Sequence, residues 1–98
     1  MLDRSFFIGT GWKMNKTLAE GLEFSRALAD AENSFHSLIR PFIVPPFTIL
    51  REMASVLSGC RTRVGAQNMH WEDFGAWTGE ISAPMIKDCG AQMVEPVS

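Results

Sequence analysis

Lys13 is the residue whose type and setting best fit chemistry on an anion. It follows Gly9-Thr10-Gly11-Trp12, and an ammonium in a loop opened by glycines can meet an anionic oxygen without side-chain crowding. The plain alternative is a solvated surface lysine. Asn15 and Thr17 lie near enough in sequence to donate to the same ligand, although Thr17 also has the spacing of a helix cap. Gln67 and Asn68 bring two amides together farther along; they either orient Lys13 or tie down the connection that follows. His70, Glu72 and Asp73 have ligand-type side chains, but neither their spacing nor a second nearby histidine makes a metal set, and no metal is expected. Cys60 and Cys89 have no histidine partner in sequence reach and read as small packing residues. His36 reads as solvated.

These groups need elements to position them. Ser5 to Thr10 is an aromatic and β-branched run that reads as a strand feeding a glycine-loosened loop. Thr17-Leu18-Ala19-Glu20 has the spacing of a capping box, so a helix should follow, with Leu18, Gly21, Leu22, Phe24, Leu28, Ala29 and Ala31 on one face. Ile39 to Val44 reads as a second strand, which Pro41 restricts to an edge or to the strand's first residues. Pro45-Pro46 stops it and opens a helix with Ile49, Leu50, Met53, Val56 and Leu57 inward and Gly59 beyond its end. Thr62 to Gln67 is a weaker strand, and Ser82 caps a helix ending at Gly90. Ala91 to Glu95 reads as a fourth strand.

Strands alternating with helices imply right-handed βαβ units on a parallel sheet, with loops 9–16, 45–47 and 67–80 gathered at the strands' carboxyl ends. Trp12 then reads as packing. Trp71, Phe74 and Trp77 put more aromatic surface into one connection than a solvated loop needs, which points to a protein partner, a second copy of the chain.

The chain has 98 residues, 46% of them hydrophobic and 20% charged, which fits one globular domain. A net charge of −2 with scattered basic residues gives no footprint for nucleic acid. No apolar run approaches the roughly 20 residues of a membrane span, and no secretory pattern is visible. Two cysteines make no disulfide framework, so a cytoplasmic location is expected.

Gly9-Thr10-Gly11-Trp12-Lys13-Met14-Asn15, Pro45-Pro46-Phe47-Thr48, Gly65-Ala66-Gln67-Asn68 and Trp77-Thr78-Gly79-Glu80-Ile81-Ser82 resemble successive motifs of the triosephosphate isomerase family. The resemblance implies an α/β fold, the N-terminal part of a (β/α)₈ TIM barrel with about four parallel strands and three helices, ending after strand four. It implies a cofactor-free aldose–ketose isomerase of the glyceraldehyde 3-phosphate/dihydroxyacetone phosphate type, moving a proton between adjacent carbons through an enediolate. Lys13 would be the catalytic lysine that contacts substrate, with Gly11 beside it. The 67–80 loop would reach a second subunit of a homodimer, with Trp77, Thr78 and Glu80 at the interface.

Two departures qualify this. Gly11 stands where the family usually has asparagine, and the combined motifs look more like the branch that isomerises erythrulose 1-phosphate. Val94-Glu95-Pro96-Val97-Ser98 departs from the family's continuation, with Ser98 in the place of its carbonyl-polarising histidine. The expectation from this is a truncated chain, inactive alone, that at most binds sugar phosphate or a partner subunit.

Overall fold

Four parallel strands form one sheet in chain order, and the structure, a computed structural model, describes residues 6–94 of it. Ser5, Glu95 and Ser98, each the subject of an expectation above, lie outside that range. The strands are β1 (Phe6–Gly11), β2 (Ile39–Val44), β3 (Arg63–Ala66) and β4 (Met93–Val94). Helices α1 (Leu18–Ala31), α2 (Phe47–Val56) and α3 (Ala83–Asp88) connect them, with a 3₁₀ turn at Glu32–Ser34. The α/β expectation, four parallel strands and three helices, holds.

Local chemistry explains most boundaries. Thr17 and Glu20 form the expected capping box: the Thr17 N–H donates to Glu20 Oε1 at 3.0 Å and the Glu20 N–H donates to Thr17 Oγ1. Ser82 caps α3 by accepting from the Met85 N–H, with Pro84 in the first turn where a missing N–H costs nothing. Gly90, just past α3, has φ +95°, a conformation that favours glycine.

The core lies between the sheet and α2. Ile49, Leu50 and Met53 on one stripe of α2 are at most 1% exposed and pack with Ile43, Val64 and Ala66. At Gly21, α1 approaches α2 so closely that a Cβ would stand 2.9 Å from Ile49 Cδ1. Cys60 and Cys89 are half-buried against this core as free thiols, and burial, with the Glu32 charge adding to it, pushes the Cys60 thiol up from its usual pKa.

Pro41 takes the second of its two expected placements: β2 lies between β1 and β3, but the proline is among the strand's first residues and the β2–β3 pairing begins only at Phe42, so it precedes that ladder. Two expectations need correction. Gly9 is not a loop-loosening residue. It sits inside β1 opposite Phe42, where an added Cβ would meet the Phe42 carbonyl oxygen at 2.0 Å, so close backbone approach demands glycine. The inward face of α1 is also narrower than the helical wheel implies, since Leu18 and Phe24 are 42% and 40% exposed while Ser25 is fully buried. The Ser25 hydroxyl is accommodated there by donating to the Gly21 carbonyl at 2.8 Å.

The opposite end of the sheet is held by a buried carboxylate that the sequence reading missed. Glu32 accepts from the Arg61 N–H at 2.7 Å, the Thr62 N–H at 3.1 Å and the Thr62 hydroxyl at 2.7 Å. Burial pushes its pKa up, but those hydrogen bonds and the Arg61 charge outweigh burial and hold the carboxyl below its usual value.

Candidate functional site

The loops that follow β1, β2 and β3 are fastened to one another around Lys13. Val44, the last residue of β2, accepts two hydrogen bonds on its carbonyl: one from the Trp12 N–H at 3.0 Å and one from Gln67 Nε2 at 3.1 Å. The same Gln67 amide nitrogen donates to the Lys13 carbonyl at 2.8 Å. One side chain after β3 therefore ties together the ends of all three strands and fixes the backbone on the C-terminal side of Lys13. Of the two uses read for Gln67 and Asn68, Gln67 orients the Lys13 backbone; Asn68 accepts locally from the Met69 N–H.

Trp12 anchors the loop from below, as the packing reading has it. It is 7% exposed and meets Phe24 of α1 edge-to-face at 5.1 Å, with the Lys16 ammonium 5.6 Å from its ring centre. Asn15 Nδ2 donates to the Trp12 carbonyl at 3.0 Å and closes the turn. Thr17 is spent on capping α1.

Between these anchors the chain takes an uncommon conformation. Lys13 has φ +59° and Lys16 φ +79°, the only non-glycine residues with positive φ among those described. For a side-chain-bearing residue the left-handed region costs about 1–2 kcal/mol, and such residues persist where surrounding contacts over-determine them and cluster at functional sites. The contacts here are the Gln67, Asn15 and Trp12 hydrogen bonds. The Lys13 side chain is exposed, and the only ion pair among the described residues joins Arg51 to Asp88 elsewhere, so no carboxylate of the described residues pairs with its ammonium. That arrangement can hold an anionic group such as phosphate, or stabilise negative charge developing on an oxygen.

Gly11 is the last residue of β1, in register with Val44 and directly before this corner. Trp77, Thr78 and Glu80 do not join it. They belong to a run, residues 71–80, that is exposed throughout, with Trp71 and Phe74 at 79% and 87%. This loop is closed at its base by a parallel bridge between His70 and Ser82, by the His70 N–H donating to the Ile81 carbonyl at 2.8 Å, and internally by the Glu80 N–H on the Trp77 carbonyl. Glu72, Asp73 and His70 gather near one another there, but no group of three or more potential ligands suited to a metal ion occurs among the described residues. His36 is exposed, its Nδ1 accepting from the Leu38 N–H. No helix of the described residues is long and apolar enough to cross a membrane.

The comparisons with known proteins bear on the family and the fold. The sequence matches the triosephosphate isomerase family over residues 6–95. It is 58% identical over 90 residues to an L-erythrulose-1-phosphate isomerase of Mesorhizobium japonicum, covering 92% of this chain and 35% of that protein. A protein of the same name from Rhizobium meliloti is 48% identical over 95 residues, covering 97% of this chain and 37% of the relative. Among solved structures, triosephosphate isomerase from Bartonella henselae superposes with a TM-score of 0.81 at 40% identity, covering 93% of this chain and 36% of that one. The chain thus spans about a third of the length of the relatives it matches. With the family match running along nearly all of its length and the parallel sheet fitting the first strands of the barrel, the chain belongs to the triosephosphate isomerase family.

Proposed function

We propose that these residues form the anion-holding corner of a cofactor-free aldose–ketose phosphate isomerase whose substrate is L-erythrulose 1-phosphate. The observation that carries the reading is Lys13, an exposed ammonium locked at φ +59° by the Gln67 amide at the carboxyl ends of the strands. A proton moves between adjacent carbons through an enediolate, and a fixed cation lowers the energy of the charge that builds on oxygen in that step. The tetrulose reading is supported by 58% identity to an enzyme of that name, against 40% to a triosephosphate isomerase. We take the exposed loop with Trp77, Thr78 and Glu80 as the surface that meets a second subunit.

The corner itself favours binding without turnover by these 98 residues alone. Proton transfer between carbons needs a base at the substrate carbon and a group polarising the carbonyl. Asn15 and Gln67, the polar side chains fastening the corner, are neutral amides already donating to backbone carbonyls.

The test exchanges residues 6–94 into the Mesorhizobium japonicum relative and assays both sugar phosphates. The chimera is expected to isomerise L-erythrulose 1-phosphate in preference to dihydroxyacetone phosphate, and Lys13→Ala within it to lose about 10²–10³-fold in kcat/KM. Preference for the triose, or full activity without the lysine, would overturn the reading. The 98-residue chain assayed alone is expected to give no turnover above buffer.

A further inference from the structure

The base of the aromatic loop holds a titratable group that sugar-phosphate chemistry does not use. His70 is only 8% exposed. Its ring lies against two indoles, stacked on Trp71 at 4.3 Å and 22°, and tilted on Trp77 at 4.7 Å and 33°. Its Nδ1 accepts a hydrogen bond from the Glu72 N–H at 3.0 Å. A ring nitrogen that accepts carries no proton, so this arrangement belongs to the neutral imidazole with its hydrogen on Nε2.

The charged groups facing the ring are carboxylates of the loop itself. Glu72, Asp73 and Glu80 line a cavity of about 190 Å³ beside His70, and the start of α3 adds only Ser82 and Met85, neither charged. Adding a proton at Nδ1 sets N–H against N–H and removes the bond to Glu72. The imidazolium in turn gains attraction to the indole faces and to those carboxylates, which the neutral ring lacks. The neutral ring therefore favours the arrangement seen, with the Glu72 amide latched on Nδ1, whereas the cation would favour a loop gathered around it, so that proton uptake would select between the two.

We propose that His70 is a proton switch for the 70–80 loop, its protonation releasing the Glu72 amide and re-seating the loop around the imidazolium. The switch depends on the loop alone and stands whether or not the isomerase reading does.

The experiment is an NMR titration of the 98-residue chain between about pH 8 and 5, the range in which histidine changes charge, with tryptophan emission read in parallel. The Glu72 amide and the His70 ring resonances are expected to move with one midpoint, and emission to fall as the stacked imidazolium quenches Trp71 and Trp77. His70→Gln is expected to abolish both changes and His36→Gln to keep both. A Glu72 amide that stays still while His70 titrates, a His70 that does not titrate in this range, or an emission change surviving in His70→Gln would overturn the proposal. The amide measurement needs no variant, so it decides the matter even if His70→Gln fails to fold.

Discussion

At Lys13 stability and chemistry pull in opposite directions. The residue has φ +59°, which glycine adopts without the Cβ clash. Lys13→Gly is therefore expected to raise stability by up to about 1 kcal/mol in urea unfolding, while Lys13→Ala, which keeps the clash, gives no such gain. Equal midpoints for the two variants would mean that the conformation carries no strain. Gln67 imposes that conformation through its bonds to the Lys13 and Val44 carbonyls. Gln67→Leu, similar in size but without a donor, leaves the exposed Lys13 carbonyl to water and is expected to cost about 0.5–1.5 kcal/mol. Lys13 stood out in the sequence through its glycine-rich surroundings, and orienting it was one of two readings for the Gln67–Asn68 amides, but the target was not legible, because Gln67 lies 54 residues away and reaches a backbone atom that no side-chain pattern marks.

Elements were legible where their causes are local. The Thr17–Glu20 capping box, the Ser82 cap and Pro46 ahead of α2 all act within one turn of chain, so spacing alone exposes them. The staple between the end of α1 and the start of β3 was hidden, since Glu32 and Thr62 are 30 positions apart and a glutamate after a helix ordinarily faces water. That staple makes stability depend on acid. The folded carboxyl titrates below its ordinary value, so the unfolded chain takes up the proton first as pH falls. Its contribution is complete above the usual carboxylate range of about 4.3 and is lost as pH drops through that range toward the folded value. Glu32→Gln places an amide where three donors point. The variant is expected to lose about 1.5–3 kcal/mol at neutral pH and to show a shallower acid decline than the wild type in urea midpoints. Parallel acid limbs in the two proteins would place the pH dependence elsewhere, with Glu20, whose carboxyl is also lowered by its bonds to Thr17, the next group to examine.

For the molecule as a whole, the same sheet that presents Lys13 is open at its sides. Among the described residues β1 pairs only with β2 and β4 only with β3, so each outer strand offers backbone groups on one side. On β1 this coincides with apolar surface, Phe7 and Ile8 being 56% and 57% exposed. Beside it Phe24, Leu28, Ile39 and Phe42 line an open groove of about 420 Å³. An unprotected strand edge next to apolar surface is a template for pairing with another chain, and natural sheets blunt such edges with charge. The 98-residue chain is therefore expected to self-associate, its weight-average mass in sedimentation rising from micromolar toward millimolar concentration. Ile8→Lys puts a charge on that edge and is expected to shift the chain toward monomer, whereas Phe74→Lys, at the tip of the aromatic loop, leaves edge-driven association in place. A monomeric mass at every concentration would show that the open edge is not adhesive, and monomerisation by Phe74→Lys alone would move the contact from the sheet to the loop.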